Sequence, residues 1–484
     1  MAIFAKIRGL FAPRDMSVGK PWQRIAEFAF PMLIGNFIQQ LYNTVDAVVV
    51  GRSKWGYTAL AAVGNAGPVL NLLLALFVGL ATGAGILVSQ FFGSRDRENL
   101  SRTIGNCITL SAAATALVMV IGPLITGPLL SAVNTLPEMY DDCRAYLNIF
   151  FLGISGFFFY NIFSGILRGL GDSFSALLYL LVCAVLNVFG DLLLVNEMGV
   201  AGVALATVAA QLISAVLCFL KLRSLRSVFD LRWREMKPRG DLLRDIVRLG
   251  IPSGLTQAIF SAAMMVVQAL INSFNDAMFV ACNVMVMRVD GYAMLPNFSF
   301  GQAMSTYAGQ NVGARKLDRL YSGARQGTLM SLVTALVLTP LVLLAGPSLM
   351  ALFTPDSPEL IDMSMSMMYI LAAGYVAMAV TQCLAGVMRG AGDTVTPMWI
   401  SLVTTILLRV PLAYLLVYLV KRAGAPVLTQ QKMIFVSLLV CWIVGMLIHI
   451  GVYLAGGWKK KQVNRIAEEL AREAEAPTPS PAEN

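Results

Sequence analysis

Charge is scarce in this chain. Only 13% of its 484 residues are Asp, Glu, Lys or Arg, about half of what a soluble domain carries, while 57% are apolar. Too few polar side chains remain to cover a water-facing surface, which excludes a soluble globular fold. Histidine is scarcer still. A single one, His449, rules out an HExxH zinc site and any His-based triad and reads as a helix-packing residue. No GxxxxGK[ST] loop is present, so the chain carries no ATPase of its own and ATP is not an expected partner. The seven cysteines, at 107, 143, 183, 218, 282, 383 and 441, stand singly without a CxxC pair, which argues against a disulfide framework and against zinc. The leader through Lys20 lacks the apolar core of a cleavable signal peptide and is expected to be retained. No enzymatic constellation is left, and no cofactor is expected.

Long hydrophobic runs take the place of all this. Apolar stretches bounded by charge or by Gly/Pro clusters fall near 27–50, 59–91, 104–130, 144–167, 174–195, 200–221, 249–272, 277–310, 326–352, 365–388, 396–420 and 433–456. About 20 apolar residues cross a bilayer as a helix, so the expected fold is an all-α polytopic membrane protein with twelve transmembrane helices. The second and eighth runs exceed that length and are expected to tilt or to project beyond the bilayer. Sorted by alternate loops, the great majority of the 36 Lys and Arg residues fall on one side. That side is expected to be cytoplasmic and to hold both termini, in a bacterial plasma (inner) membrane. The formal charge of +9 then reports topology, and no nucleic-acid partner is expected.

The second half repeats the first. Gln90-Phe-Phe-Gly93-Ser-Arg95 is echoed by Gln310-Asn-Val-Gly313-Ala-Arg315. Gly165-Ile-Leu-Arg168-Gly169-Leu-Gly171-Asp172 is echoed, at almost the same offset, by Gly386-Val-Met-Arg389-Gly390-Ala-Gly392-Asp393, and Pro31 by Pro252. Three landmarks at one offset define two six-helix lobes in the same orientation, a parallel repeat related by a pseudo-twofold axis along the membrane normal. The expected divisions are a cytoplasmic leader (1–26), a first lobe (27–221), a basic linker (222–248), a second lobe (249–456) and a charged, then Pro-rich, disordered cytoplasmic tail (457–484). Such pairs enclose a cavity between lobes, which points to a transporter, expected to be a monomer. The Gly165/Gly169 and Gly386/Gly390 pairs have the spacing that lets helices approach closely and are read as structural corners.

Because a charge in hydrocarbon costs several kcal/mol, ionisable residues inside spans are functional candidates. Asp46 and Asp191 lie about one turn from the outer ends of spans 1 and 5, and Thr207 in span 6 falls at the same depth. Asn187 and Asp191, four residues apart, share one helix face. Two carboxylates, a carboxamide and a hydroxyl form a set of hard oxygen ligands suited to a proton or to Na+. A carboxyl in low dielectric beside a second one takes up a proton near neutral pH and yields it when wetted, which could couple loading to a change of helix arrangement. In the second half, Asp290, Arg288 and Arg409 are the polar candidates. Asp290 and Arg409 are expected to pair, leaving substrate or proton handling as the alternative.

The chain resembles the multidrug and toxic compound extrusion (MATE) family of cation-coupled efflux transporters. The resemblance runs over about residues 20–456. It rests on Pro31-Met-Leu-Ile, Gln40-Leu-Tyr-Asn-Thr-Val-Asp46-Ala-Val-Val-Val-Gly51, Leu60-Ala-Ala-Val-Gly64, Val88-Ser-Gln-Phe-Phe-Gly93, the paired Arg-Gly-x-Gly-Asp corners, Leu186-Asn-Val-Phe-Gly-Asp191 and Gly199-Val-Ala-Gly-Val-Ala-Leu-Ala-Thr207. It implies two lobes in a V and antiport of amphipathic, cationic drugs or toxic organic compounds against H+ or Na+. By the same resemblance the cation site falls on Asp46, Asn187, Asp191 and Thr207, and the first-lobe substrate cavity lies near Met32, Tyr42 and Asn161. Pro31 matches a point of bending in span 1. Runs 249–272 and 365–388 contain no Asp or Glu, unlike the family branch with acidic residues in spans 7 and 10. The alternative within transport is a flippase for lipid-linked oligosaccharide or lipid. Such proteins commonly have a strongly cationic central cavity, whereas only Arg288 and Arg409 are intramembrane bases here.

Overall fold

The computed structural model describes residues 12–51, 56–132, 137–351 and 357–458; in several stretches, Asp46 among them, it describes the backbone alone. The tail from 459 onward lies outside the described residues. The first half comprises α1 (Pro21–Gly51), α2 (Gly56–Gly93), α3 (Arg97–Ala132), α4 (Pro137–Leu152), α5 (Ser155–Gly169), α6 (Ser173–Met198) and α7 (Val200–Ser224). After a short 3-10 turn at Trp233–Met236 come α8 (Gly240–Asn272), α9 (Ala277–Gly313), α10 (Leu317–Ala351), α11 (Pro358–Gly390), α12 (Val395–Leu402), a π segment Val403–Leu408, α13 (Arg409–Arg422) and α14 (Val427–Ala455). Among the described residues, ten helices are long and apolar enough to cross a membrane, eleven when the bent pair α4–α5 is counted as one span. With α1 the spans make twelve, in two lobes.

The ends of these helices are written in local chemistry. Asp172 caps α6 by accepting from the Ser175 amide at 2.9 Å, and Asp276 caps α9 by accepting from the Met278 and Phe279 amides at 3.0 and 3.1 Å. Such caps satisfy the orphan N–H groups of a first turn. Gly199, at φ +59°, closes α6 and opens α7 in a single residue, a left-handed conformation that glycine adopts without steric cost.

Two of the expected spans are not regular helices. Span 4 bends by 51° between Leu152 and Ser155. Gly153 and Gly156 flank the bend, and a Cβ on either would overlap Val208 or Leu212 of α7, so the glycines let the broken span lie directly on its neighbour. Span 11 contains the π segment just before Arg409, an interruption that re-aims the following side chains. Pro31, by contrast, lies inside an α1 that continues as one helix.

The second lobe packs around one apolar cluster and the first around two, one of which takes in Leu242, Ile246 and Leu249 of α8, and a further cluster joins the lobes. Ile25, Phe28, Ala29 and Met32 of α1 pack with Phe300, Met304 and Tyr307 of α9 and Val387 and Met388 of α11. The first half of α1 therefore binds the second lobe, while Gly35 faces Leu177 and Leu180 of α6 in the first. Elsewhere the lobes meet backbone to backbone: Gly79 and Gly83 of α2 abut Gly254 and Gly250 of α8 so closely that any Cβ would collide with main chain. This is the small-residue packing of membrane helices, in which contact replaces the hydrophobic drive that lipid cannot supply.

Candidate functional site

The α6–α7 hairpin builds the candidate site. Gly190 sits against Ala206, and Gly202 against the Leu194 carbonyl, so the two helices run at close approach and their polar residues meet. The Asn187 Nδ2 donates to the Thr207 Oγ1 at 3.1 Å, and the Thr207 hydroxyl donates to the Val203 carbonyl at 3.0 Å. Asn187 is 1% exposed and Asp191, one turn further on the same face, is 0% exposed. The Asn187 Oδ1 has no hydrogen-bond partner among the described residues. A buried acceptor left unpaired in a low-dielectric interior carries a full desolvation cost, and here it stands beside a buried carboxylate.

The structure thus brings together three of the four residues expected to hold a cation. Asp46 is placed by its backbone on α1, and its side chain lies outside the described residues. Its register is informative all the same. α1 and α6 start from the same face, where the Arg14 amide donates to the Leu170 carbonyl at 3.2 Å, and they are in contact at Gly35 with Leu177 and Leu180. At about 1.5 Å per residue, equal advances from that contact put Asp46 level with Asn187 and Asp191.

The residues expected near a substrate cavity are dispersed. Met32 is buried in the inter-lobe cluster, Pro31 and Tyr42 are half-buried on α1, and the Asn161 Nδ2 donates to the Phe157 carbonyl of its own helix at 2.8 Å. In the second lobe the expected Asp290–Arg409 ion pair is absent. The two interact electrostatically, but no salt bridge joins them among the described residues. Arg409, 3% exposed, instead approaches the Met264 sulfur at 3.4 Å, and one Asp290 oxygen is buried without a hydrogen-bond partner. Arg288 is half-buried.

Sequence reasoning also passed over a reciprocal latch at the basic face. The Gln90 Nε2 donates to the Gly390 carbonyl at 2.9 Å, and the Gln310 Nε2 donates to the Gly169 carbonyl at 3.0 Å. Each lobe's Gln thus holds the Arg-Gly corner of the other lobe. The Gln310 Oε1 also accepts from the Met16 amide at 2.7 Å. Gly93 and Gly313 lie directly on the Gln310 and Gln90 carbonyls. Among the described residues, the inter-lobe hydrogen bonds run from this face to Asn36–Ser299 (2.9 Å), midway along α1. The signal was present as the repeated Gln-x-x-Gly-x-Arg, read only as a mark of duplication.

Outside the spans, burial holds the Asp172 carboxyl above the usual carboxylate range despite its Ser175 bonds and Lys221 at 3.7 Å. The Arg97 guanidinium holds the exposed Asp230 carboxyl below that range.

Comparison with known proteins follows the same outline. The family model MatE matches residues 31–193 and 252–415, on either side of the basic linker. The probable multidrug resistance protein YoeA of Bacillus subtilis (strain 168) is 27% identical over 457 residues, spanning 92% of this chain and 96% of its own length. A solved structure described as MATE in complex with MaL6 superposes with a TM-score of 0.84 at 24% identity, over 92% of this chain and 99% of its own. Another, the outward-facing conformation of a multidrug resistance MATE family transporter of the MOP superfamily, gives 0.82 at 23% identity, over 90% and 97%. At these identities the structural likeness establishes the fold.

Proposed function

Since the chain belongs to the MatE family of multidrug efflux transporters, we propose that it is a cation-coupled antiporter exporting amphipathic, cationic organic compounds by alternating access. The observation that carries this reading is the buried Asn187–Thr207 pair beside the fully buried Asp191, level with the backbone of Asp46. These oxygens suit H+ or Na+. Na+ would draw on the Asn187 Oδ1, the Thr207 hydroxyl and the two carboxylates; a proton needs only the carboxylates.

Coupling then follows from mutual exclusion. A carboxylate that carries charge in the buried hairpin, as Asp191 would when ionised, is costly there; an arriving cation relieves that cost, and relief shifts the balance between helix arrangements. The basic-side contacts at Gln90 and Gln310 favour the arrangement closed at that face, which the Lys/Arg distribution assigns to the cytoplasm. The membrane is that of a bacterial cell, and both termini are placed inside. The flippase alternative is not favoured, since relatives described above are named for multidrug resistance and a strongly cationic intramembrane cavity is lacking among the described residues.

Proteoliposomes with an imposed proton or sodium gradient test the reading. Uphill movement of a cationic dye should be driven by one gradient, with Asp46→Asn and Asp191→Asn each abolishing it while the proteins stay folded and inserted. Near-normal uphill transport by both variants, or by wild type with neither gradient, would overturn it.

A further inference from the structure

The basic linker does more than mark a topology. After α7 the chain turns along the start of α3 and is pinned there: the Thr109 hydroxyl donates to the Met236 carbonyl at 2.6 Å, the Asn106 Oδ1 accepts from the Arg239 amide at 2.7 Å, and the Asn106 Nδ2 donates to the Lys237 carbonyl at 3.3 Å. A Cβ at Gly105 would overlap the Glu235 carbonyl, so the 3-10 turn rests directly on α3. Between the pinned turn and the helix lies a cavity of about 410 Å³ lined by Arg102, Arg234, Lys237 and Arg239, within the range of about 300–1,000 Å³ typical of small-ligand sites.

The charges in this cavity do not balance. Arg102 is shared between Glu98 and Glu235, and Arg239 is engaged by Asp241. Arg234 and Lys237 have no acidic partner among the described residues. Four cations against three carboxylates leave a net positive charge on a backbone-pinned turn, with Arg234 and Lys237 free to engage an anion, and guanidinium forks favour phosphate oxygens. Next to them Trp233 is 86% exposed, far more than a large aromatic gains from water. Asn106 and Thr109 lie where α3 passes from its charged start into its apolar run; a change of that kind marks the end of a membrane span, where an indole has a natural environment. Basic pockets at this level are suited to lipid phosphates.

We propose that the Arg102–Arg234–Lys237–Arg239 cavity binds a phosphate group, presented by an anionic phospholipid whose leaflet Trp233 enters. The site is independent of the cation hairpin and of the transported compound. It ties the linker between the lobes to the membrane surface.

The test uses the full chain, delipidated in detergent, with phosphatidylglycerol, phosphatidylcholine and inorganic phosphate as probes. Native mass spectrometry should show phosphatidylglycerol retained over phosphatidylcholine, with retention falling about tenfold or more in Arg234→Gln/Lys237→Gln. Both side chains are exposed, so thermal stability should match wild type. Trp233→Ala should weaken lipid retention and leave any response to inorganic phosphate unchanged. A thermal shift with inorganic phosphate that the double variant loses, without lipid preference, would support the phosphate site and assign it to a soluble ligand. Equal phosphatidylglycerol retention by wild type and double variant, with no response to phosphate, overturns the proposal.

Discussion

At the residue scale, Thr207 separates packing from coupling. Its hydroxyl bridges the Asn187 amide and the Val203 carbonyl, and in a membrane helix pair such a hydrogen bond averages only about 0.6 kcal/mol, with an upper range near 1.7. Thr207→Val keeps the shape and removes the oxygen. If Thr207 serves only packing, the variant loses a few degrees of thermal stability and keeps its transport. We expect a small stability loss together with at least a tenfold fall in gradient-driven dye efflux, read by melting and by proteoliposome flux on one preparation. Unchanged flux would remove Thr207 from the cation site and leave it a structural hydroxyl. Asp191 and Asn187 were readable from sequence for one physical reason: polar groups in a lipid-spanning run require an explanation. Gln90 and Gln310 gave no such signal, because a glutamine near a helix end can be satisfied by water, and only the folded chain shows both side chains buried against carbonyls of the opposite lobe.

At the scale of elements, hydropathy located the helices and missed their interruptions. An apolar run records that a segment avoids water, and it is silent on whether the backbone bends inside lipid. The 51° break in span 4 depends on Val208 and Leu212 pressing where Gly153 and Gly156 leave room, and the π segment of span 11 precedes an Arg409 that must stay buried. The corners were better recorded, since they rely on local chemistry. Gly171 and Gly392 take φ of +83° and +92°, and Asp172 and Asp393 accept from the amides three residues on. The α2–α8 contact rests on glycine at Gly79, Gly83, Gly250 and Gly254. Gly83→Val forces bulk against the α8 backbone, and overpacking of this kind costs about 1–3 kcal/mol. We expect a lower melting temperature and impaired closure of the basic face; a melting curve superposable on wild type would show that α2 and α8 are not held by this contact.

At the scale of the whole molecule, the duplicated sequence builds a joint with two equivalent fasteners. Gln90 reaches Gly390 and Gln310 reaches Gly169 across the pseudo-twofold axis, and on the alternating-access proposal both would break together as the lobes part at the basic face. Each such hydrogen bond contributes about 0.5–1.5 kcal/mol net, so removing the pair shifts a two-state balance by about 1–3 kcal/mol, between about 5- and 150-fold. All seven cysteines are buried, so spin labels can be directed to exposed Ser94 and Asp318 on the two lobes as Ser94→Cys and Asp318→Cys. In that background Gln90→Leu/Gln310→Leu should broaden the inter-lobe distance distribution toward longer values, with single variants intermediate, because the two bonds act on one equilibrium. The cation hairpin lies elsewhere in the first lobe and is left intact, so substrate and coupling ion should still bind while the closed state becomes harder to hold. Uphill transport then falls through leak instead of through lost recognition. A distance distribution unchanged in the double variant would mean that the two glutamines stiffen their own corners and do not hold the lobes closed.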